Sequence, residues 1–330
     1  TARSRRRARD GQEVAGGTSV TVLRRWLRLA ASSSWDGRAV ETIERADGRQ
    51  LAYAVWGDPA GFPVVVLHGT PGCRLNRYPD EQALAAAAIR VITYDRPGYG
   101  RSDRDPGRQV ASCVADVAAI ADAVGVDRFA VSGASGGGPH ALAVAAGLPD
   151  RVTRARCAVG FAPYDAPGLD WYAGMDPENV KEFGWTLAGE ADLHRELTRE
   201  AADMVARVAQ DPTRMLGDDW ELAEADQAVL ADPLVQQVTR EAVPESVATG
   251  VWGWVDDDLA FVRPWGFELA DITVPVEIRY GLADVLVPAG HGRWLGEHVP
   301  GASVAVEAGA GHLADPATVF AQLRSLAAPA

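Results

Sequence analysis

Between residues 49 and 160 the chain alternates short β-branched runs with longer alanine-rich stretches, and few folds accept that alternation. The runs "PVVVLHG" (63–69), "RVITYD" (90–95), "DRFAVSG" (127–133) and "VTRARCAVG" (152–160) are predicted strands. The solid β-branched run in "PVVVLHG" is what a strand covered on both faces shows. The stretches between them, 79–89, 110–125 and 137–149, are predicted helices, the second ending on Gly125 and the third stopped by Gly147 and Pro149. Repeated strand–helix units predict an α/β fold, a mostly parallel sheet flanked by helices. Upstream, 39–46 and 49–57 flank an Asp47-Gly48 turn and predict a hairpin. Strands resume at 273–281 and 302–309, with helices at 289–298 and 315–327.

The pattern breaks between residues 163 and 270, which show polar helical periodicity and six of the ten tryptophans. This stretch is expected to be a helical insertion into one α/β core made of 36–162 and 271–330. The net charge of −13 is concentrated there, because residues 165–271 hold 24 acids against seven lysines and arginines. Such a surface disfavours nucleic acid and phosphate ligands and suits neutral or cationic small molecules. Residues 1–35 form a basic stretch in which Leu23, Trp26, Leu27 and Ala30 share one face of a short amphipathic helix. That helix either packs on the body or touches anionic lipid or a partner. No apolar run reaches the roughly 18 residues of a membrane span. Three scattered cysteines, Cys73, Cys113 and Cys157, argue against a disulfide framework or a zinc site and for a reducing, cytoplasmic setting. No metal or organic cofactor is implied, and the oligomeric state is left open.

In sheets of this kind, active sites form at the C-terminal ends of strands. Gly133-Ala134-Ser135-Gly136-Gly137 fits G-x-S-x-G between a predicted strand and a predicted helix. Glycines two before and two after the serine let the backbone crowd into a sharp turn, which exposes the serine at a helix N-terminus. The competing reading, a phosphate loop, would show GxxxxGK[ST] or GxGxxG, and neither is present. "HGTPGC" (68–73) closes the first core strand, and the amides of Thr70 and Gly136 are candidates for an oxyanion hole. Asp284, just past a strand end, and His312, in the small-residue loop after the last strand, are the candidate carboxylate and base. Asp165 is a rival carboxylate. His68 is expected to support the oxyanion loop, His140 to be structural, and His194, His291 and His298 to sit on helix surfaces.

The order Ser135…Asp284…His312, with "HGTPG", "DRPGYGRSD" (95–103), "SGASGGG" and "GAGH", resembles the α/β-hydrolase superfamily over about residues 39–327. The resemblance implies a helical cap at 163–270 and makes Asp95, Arg96 and Gly98 a bracing turn. It implies a serine hydrolase that cleaves a carboxylic ester or related acyl bond of a bulky, mostly neutral small molecule through an acyl-enzyme. Trp171, Trp185, Trp252 and Trp254 are expected to line a pocket above the serine. The alternatives are a biosynthetic enzyme that cyclises, rearranges or cleaves C–C bonds, a ligand-binding receptor, and, less favoured, a proline iminopeptidase-like aminopeptidase, which the HG-x-PG element resembles. Thr70 and Ala134 depart from the HGGPG and Trp-before-serine patterns usual in proline iminopeptidases, and Ser135 disfavours the Asp-nucleophile dehalogenases and epoxide hydrolases.

Overall fold

The computed structural model describes residues 40–328 of the 330-residue chain. The basic stretch 1–35 and its expected helix lie outside the described residues. Eight strands form one sheet: β1 (Glu41–Glu44), β2 (Gln50–Gly57), β3 (Phe62–Leu67), β4 (Ile89–Tyr94), β5 (Phe129–Ala134), β6 (Val152–Ala158), β7 (Val276–Gly281) and β8 (Ser303–Glu307). Their order is β1-β2-β4-β3-β5-β6-β7-β8. β1 pairs with β2, and β2 with β4, antiparallel. All pairings from β4 through β8 are parallel.

Three helices lie between the early strands: α1 (Glu81–Ala86), α2 (Cys113–Ala123) and α3 (Gly137–Gly147). Alternate strand residues enter opposite cores, as the two-residue period of a strand requires. Val65, Ile92 and Val131 pack with Val117 and Ile120 of α2 and Leu142 of α3. Val64, Val91 and Ala130 pack on the other face with Leu84 of α1. α1 is shorter than its pattern suggests, because Ala88 takes a φ of +54° and turns the chain directly into β4. The helix expected from 110 opens with a tighter 3₁₀ turn, Val110–Ser112, before α2.

Five helices separate β6 from β7: α4 (Pro177–Ala188), α5 (Glu190–Gln210), α6 (Glu224–Leu230), α7 (Pro233–Ser246) and α8 (Trp252–Phe261). α4 and α7 each start on Asp-Pro, with Asp176 and Asp232 accepting from first-turn amides. α5 buries Leu193, Leu197, Ala201, Met204 and Val208, a stripe spaced three and four apart. That stripe packs against Val243 of α7 and Trp254, Val255 and Leu259 of α8. α7 also fastens this segment to the body, through Ala242 in the core beside Cys73 and through Glu245 ion-paired with Arg74 and Arg101. Leu197→Ala empties a fully buried position, so it should cost about 2–5 kcal/mol in urea unfolding. A change under 1 kcal/mol would show that the stripe does not hold the segment.

After β7 come α9 (Ala289–His298) and, after β8, α10 (Pro316–Ala327), whose Leu323 and Leu326 complete the core that contains Leu84. Among the described residues no helix is long and apolar enough to cross a membrane.

Candidate active site

Ser135 stands between β5 and α3 with a φ of +55°, a left-handed conformation that non-glycine residues adopt at a cost of about 1–3 kcal/mol. The turn is held at both ends: Ser135 N–H donates to Ala158 O at 2.9 Å, and Gly138 N–H donates to Ser135 O at 2.8 Å. The glycines are demanded by close approach. A Cβ at Gly133 would lie 1.9 Å from Gly137 O, and one at Gly136 would lie 2.2 Å from Thr70 Oγ1. The second distance also places the two candidate oxyanion residues side by side.

The loop after β3 is tied down atom by atom. His68 Nδ1–H donates to Gly69 O at 2.7 Å, and its Nε2 accepts from Arg96 N–H at 3.1 Å, which together define one neutral tautomer. Burial, then the charge of Arg96, pushes His68 well below its ordinary pKa. The Arg96 guanidinium donates to the carbonyl of His68, to Gly69 O at 2.9 Å and to Thr70 Oγ1 at 3.2 Å. His140 is fully buried on α3 and donates from Nδ1 to Gly136 O at 2.7 Å; burial lowers its pKa to about 3.

Asp284 sits in the turn after β7. Its Oδ1 accepts from the amides of Leu286 and Val287, both at 2.9 Å, and its Oδ2 accepts from His312 Nδ1–H at 2.8 Å. Burial alone would lower the His312 pKa, but the charge and hydrogen bond of Asp284 outweigh it, and the imidazole is held above its ordinary value. With Nδ1 committed to Asp284, Nε2 is the nitrogen left to take a proton. Ser135 and His312 line one cavity of about 370 Å³, whose walls include Leu67, Ala134, Ala158, Val159 and Leu313. Asp165 is exposed after β6 and is not the partner of His312. Among the described residues no group of three or more His, Cys, Asp or Glu side chains is arranged to hold a metal.

Other expectations need correction. None of Trp171, Trp185, Trp252 and Trp254 lines the cavity that holds Ser135. Trp171 is buried, stacked on Phe161 at 5.2 Å, with Nε1 donating to Ala162 O. Trp254 is buried and donates to Glu182 of α4. Trp252 is sandwiched by the His194 ring and Arg104, and Trp185 lies beside Lys181. These rings supply packing area where the helices meet one another and the body. His291 is not a surface residue: it is 1% exposed on the inner face of α9, accepts from Ala162 N–H and donates to Trp171 O.

Two buried carboxylates were not anticipated. Asp226 of α6 accepts from the amides of His312 and Leu313, at 3.0 and 2.7 Å. Asp257 of α8 accepts from Thr70 Oγ1 at 2.7 Å and ion-pairs with Arg96 and Arg108, each at 2.6 Å. The one visible signal for the second was "VDDDLAF" (255–261), three acids within an otherwise apolar helix.

A family model described as the alpha/beta hydrolase fold matches residues 63–314. A protein named carbamate hydrolase RutD, from Azorhizobium caulinodans, is 30% identical over 246 residues, covering 68% of this chain and 90% of that protein. Two solved structures share the fold. An enol-lactonase from Burkholderia xenovorans has a TM-score of 0.56 and 22% identity, covering 84% of this chain and 95% of that one. A thermophilic esterase from Thermogutta terrifontis has a TM-score of 0.57 and 20% identity, covering 87% of this chain and 96% of that one. The sheet order, the strand-end positions of the candidate residues and the match across most of the chain agree: this protein belongs to the α/β hydrolase fold family.

Proposed function

We propose that the chain is a serine hydrolase acting on a carboxylic ester or related acyl bond of a small molecule. The observation that supports this most directly is one cavity bearing both Ser135, on its left-handed turn, and His312, braced by Asp284. A serine hydroxyl is a poor nucleophile near neutral pH and needs such a base. In the proposed sequence His312 Nε2 takes the Ser135 proton as Oγ attacks the carbonyl carbon. The amides of Thr70 and Gly136 receive the developing oxyanion. Collapse expels the leaving group, which takes the proton from His312, and leaves an acyl-enzyme. His312 then activates water, which releases the acid and regenerates Ser135. Asp284 holds Nδ1–H and stabilises the imidazolium.

The cavity walls mix apolar side chains, among them Leu67, Val159 and Leu313, with the charged Arg156, Arg279 and Glu307, which suits an acyl group carrying polar substituents, and the carbamate-hydrolase name of one relative supports an acyl-type bond. Residues 163–270 serve, in this reading, as the cap of a core formed by 36–162 and 271–330. The three buried, unpaired cysteines suit a reducing, cytoplasmic setting.

A fluorophosphonate probe tests the mechanism. It should label the protein rapidly and at one residue, with labelling lost in Ser135→Ala and reduced by orders of magnitude in His312→Ala. No labelling of the folded wild-type protein would sink the acyl-enzyme and direct attention to ligand binding or non-covalent chemistry.

A further inference from the structure

Each half of the candidate site is fastened by an aspartate from the helical segment between β6 and β7. Asp226 and Asp257 are both 0% exposed. Asp226 holds the loop of the base, since both its oxygens accept backbone amides there, from His312 and Leu313. That loop is shaped around the carboxylate: a Cβ at Gly311 would stand 2.1 Å from Asp226 Oδ2. Asp257 holds the other half. Its Oδ2 accepts from Thr70 Oγ1 at 2.7 Å, from Tyr99 Oη at 2.8 Å and from Arg96 Nη2 at 2.6 Å. Arg96 continues the chain of contacts to the carbonyls of His68 and Gly69. On the opposite side, His140 Nε2 lies 3.8 Å from Asp257 Oδ1 while its Nδ1 holds Gly136 O. Asp257 therefore holds Thr70 by a direct hydrogen bond, and it faces the histidine that holds Gly136 without bonding to it.

The charge of this cluster has a direction. Burial would raise the Asp257 pKa, but Arg108 and Arg96 outweigh it and keep the carboxylate ionised. Two buried guanidinium groups thus face one carboxylate, with His68 and His140 both held neutral. Arg96 is thereby fixed against the Thr70 loop, with its Nη2 3.2 Å from Thr70 Oγ1. A helix docked for stability alone needs no such cluster, because apolar side chains of similar volume pack there without the desolvation cost.

We propose that the β6–β7 helical segment is part of the catalytic apparatus, with Asp226 and Asp257 as its positioning residues. Asp226 sets His312, and Asp257 sets the Thr70–Gly136 amide pair. This rests on the acyl-enzyme reading of the same site.

The test uses the full chain, p-nitrophenyl butyrate as substrate and a phenylboronic acid as a mimic of the tetrahedral oxyanion. Asp257→Asn and Thr70→Val should each lower kcat by about 10- to 100-fold with KM within about threefold, and weaken boronic acid binding in parallel. Thr70→Ser, which restores the hydroxyl, should recover most of that loss. Asp257→Asn and Thr70→Val combined should cost less than the sum of the two, because both break the Thr70–Asp257 link. The charged groups acting on His312 are Asp284 and Asp226, so Asp226→Asn should shift the acid limb of kcat/KM to lower pH. If the aspartate variants do not fold, the Thr70→Val and Thr70→Ser pair decides the question. Wild-type kcat and boronic acid affinity in folded Asp257→Asn or in Thr70→Val would overturn the proposal. So would an effect confined to KM. A wild-type protein that fails to label with fluorophosphonate overturns the acyl-enzyme reading and this proposal with it, whereas a labelled wild type with indifferent variants overturns this proposal alone.

Discussion

Ser135→Ala should lower turnover of p-nitrophenyl esters by about 10⁴- to 10⁶-fold while leaving the fold and substrate binding intact. The size follows from the mechanism. Without Oγ there is no acyl-enzyme, and what remains is the modest acceleration from binding and the oxyanion amides acting on water. KM should change little, since the hydroxyl contributes mainly to the transition state. A second variant separates chemistry from conformation. Ser135 adopts a φ of +55°, which alanine tolerates no better than serine. Ser135→Gly relieves that strain but adds backbone entropy to the unfolded chain. The glycine variant should therefore be more stable than the alanine variant by about 0.5–1 kcal/mol in urea unfolding, with both equally inactive. Retention of more than a tenth of wild-type turnover by either variant would falsify Ser135 as the nucleophile. Equal stability of the two would show that the turn is not strained.

The sheet and the strand-end positions of Ser135, Asp284 and His312 are legible in the sequence for a local reason. Each residue follows an apolar run closely enough that spacing alone puts it on the same edge of the sheet. Helix boundaries are less legible where tertiary demands override propensity, as at Ala88, which leaves the helical region to enter β4. The carboxylates that hold the site are hardly legible at all. Thr70 and Asp257 are 187 positions apart, and His312 and Asp226 are 86 apart, so their pairing exists only once the fold is assembled. Composition did mislead about the tryptophans. A high aromatic count in an insertion says that apolar area must be covered, but not whether by substrate or by protein. The side chains here are covered by Phe161, Phe183, His194 and Arg104. For His291 a signal was present: Gly292, whose absent Cβ lets Tyr280 approach, and the buried Leu295 mark the inner face on which the histidine lies.

Asp284→Asn should lower kcat/KM by about 10⁴-fold, nearly as much as losing the nucleophile, although no atom that touches substrate is removed. The reason is the fixed orientation of the side chain. Oδ1 accepts two backbone amides, from Leu286 and Val287, at 2.9 Å each. In the asparagine variant the carbonyl oxygen keeps that position, because an amide nitrogen there would meet two N–H donors. The NH₂ group then faces His312 Nδ1, which must accept rather than donate. The imidazole proton is forced onto Nε2, and the nitrogen that should take the serine proton is blocked. The pH behaviour provides a second readout. Asp284 raises the His312 pKa above its ordinary value of 6.5 against the opposing effect of burial. His312 works as a base only when neutral, so the acid limb of wild-type kcat/KM should lie above 6.5, and in Asp284→Asn it should move to lower pH. Stability follows the same linkage. A proton bound more tightly in the native state than in the unfolded chain stabilises the fold fully below the unfolded pKa, and that contribution disappears as pH rises through the native value. Asp284→Asn should therefore destabilise the protein more at pH 5 than at pH 9, as read by urea unfolding at each pH. A loss of kcat/KM under tenfold, with an unmoved acid limb, would remove Asp284 from the mechanism and leave its hydrogen bond to His312 as packing.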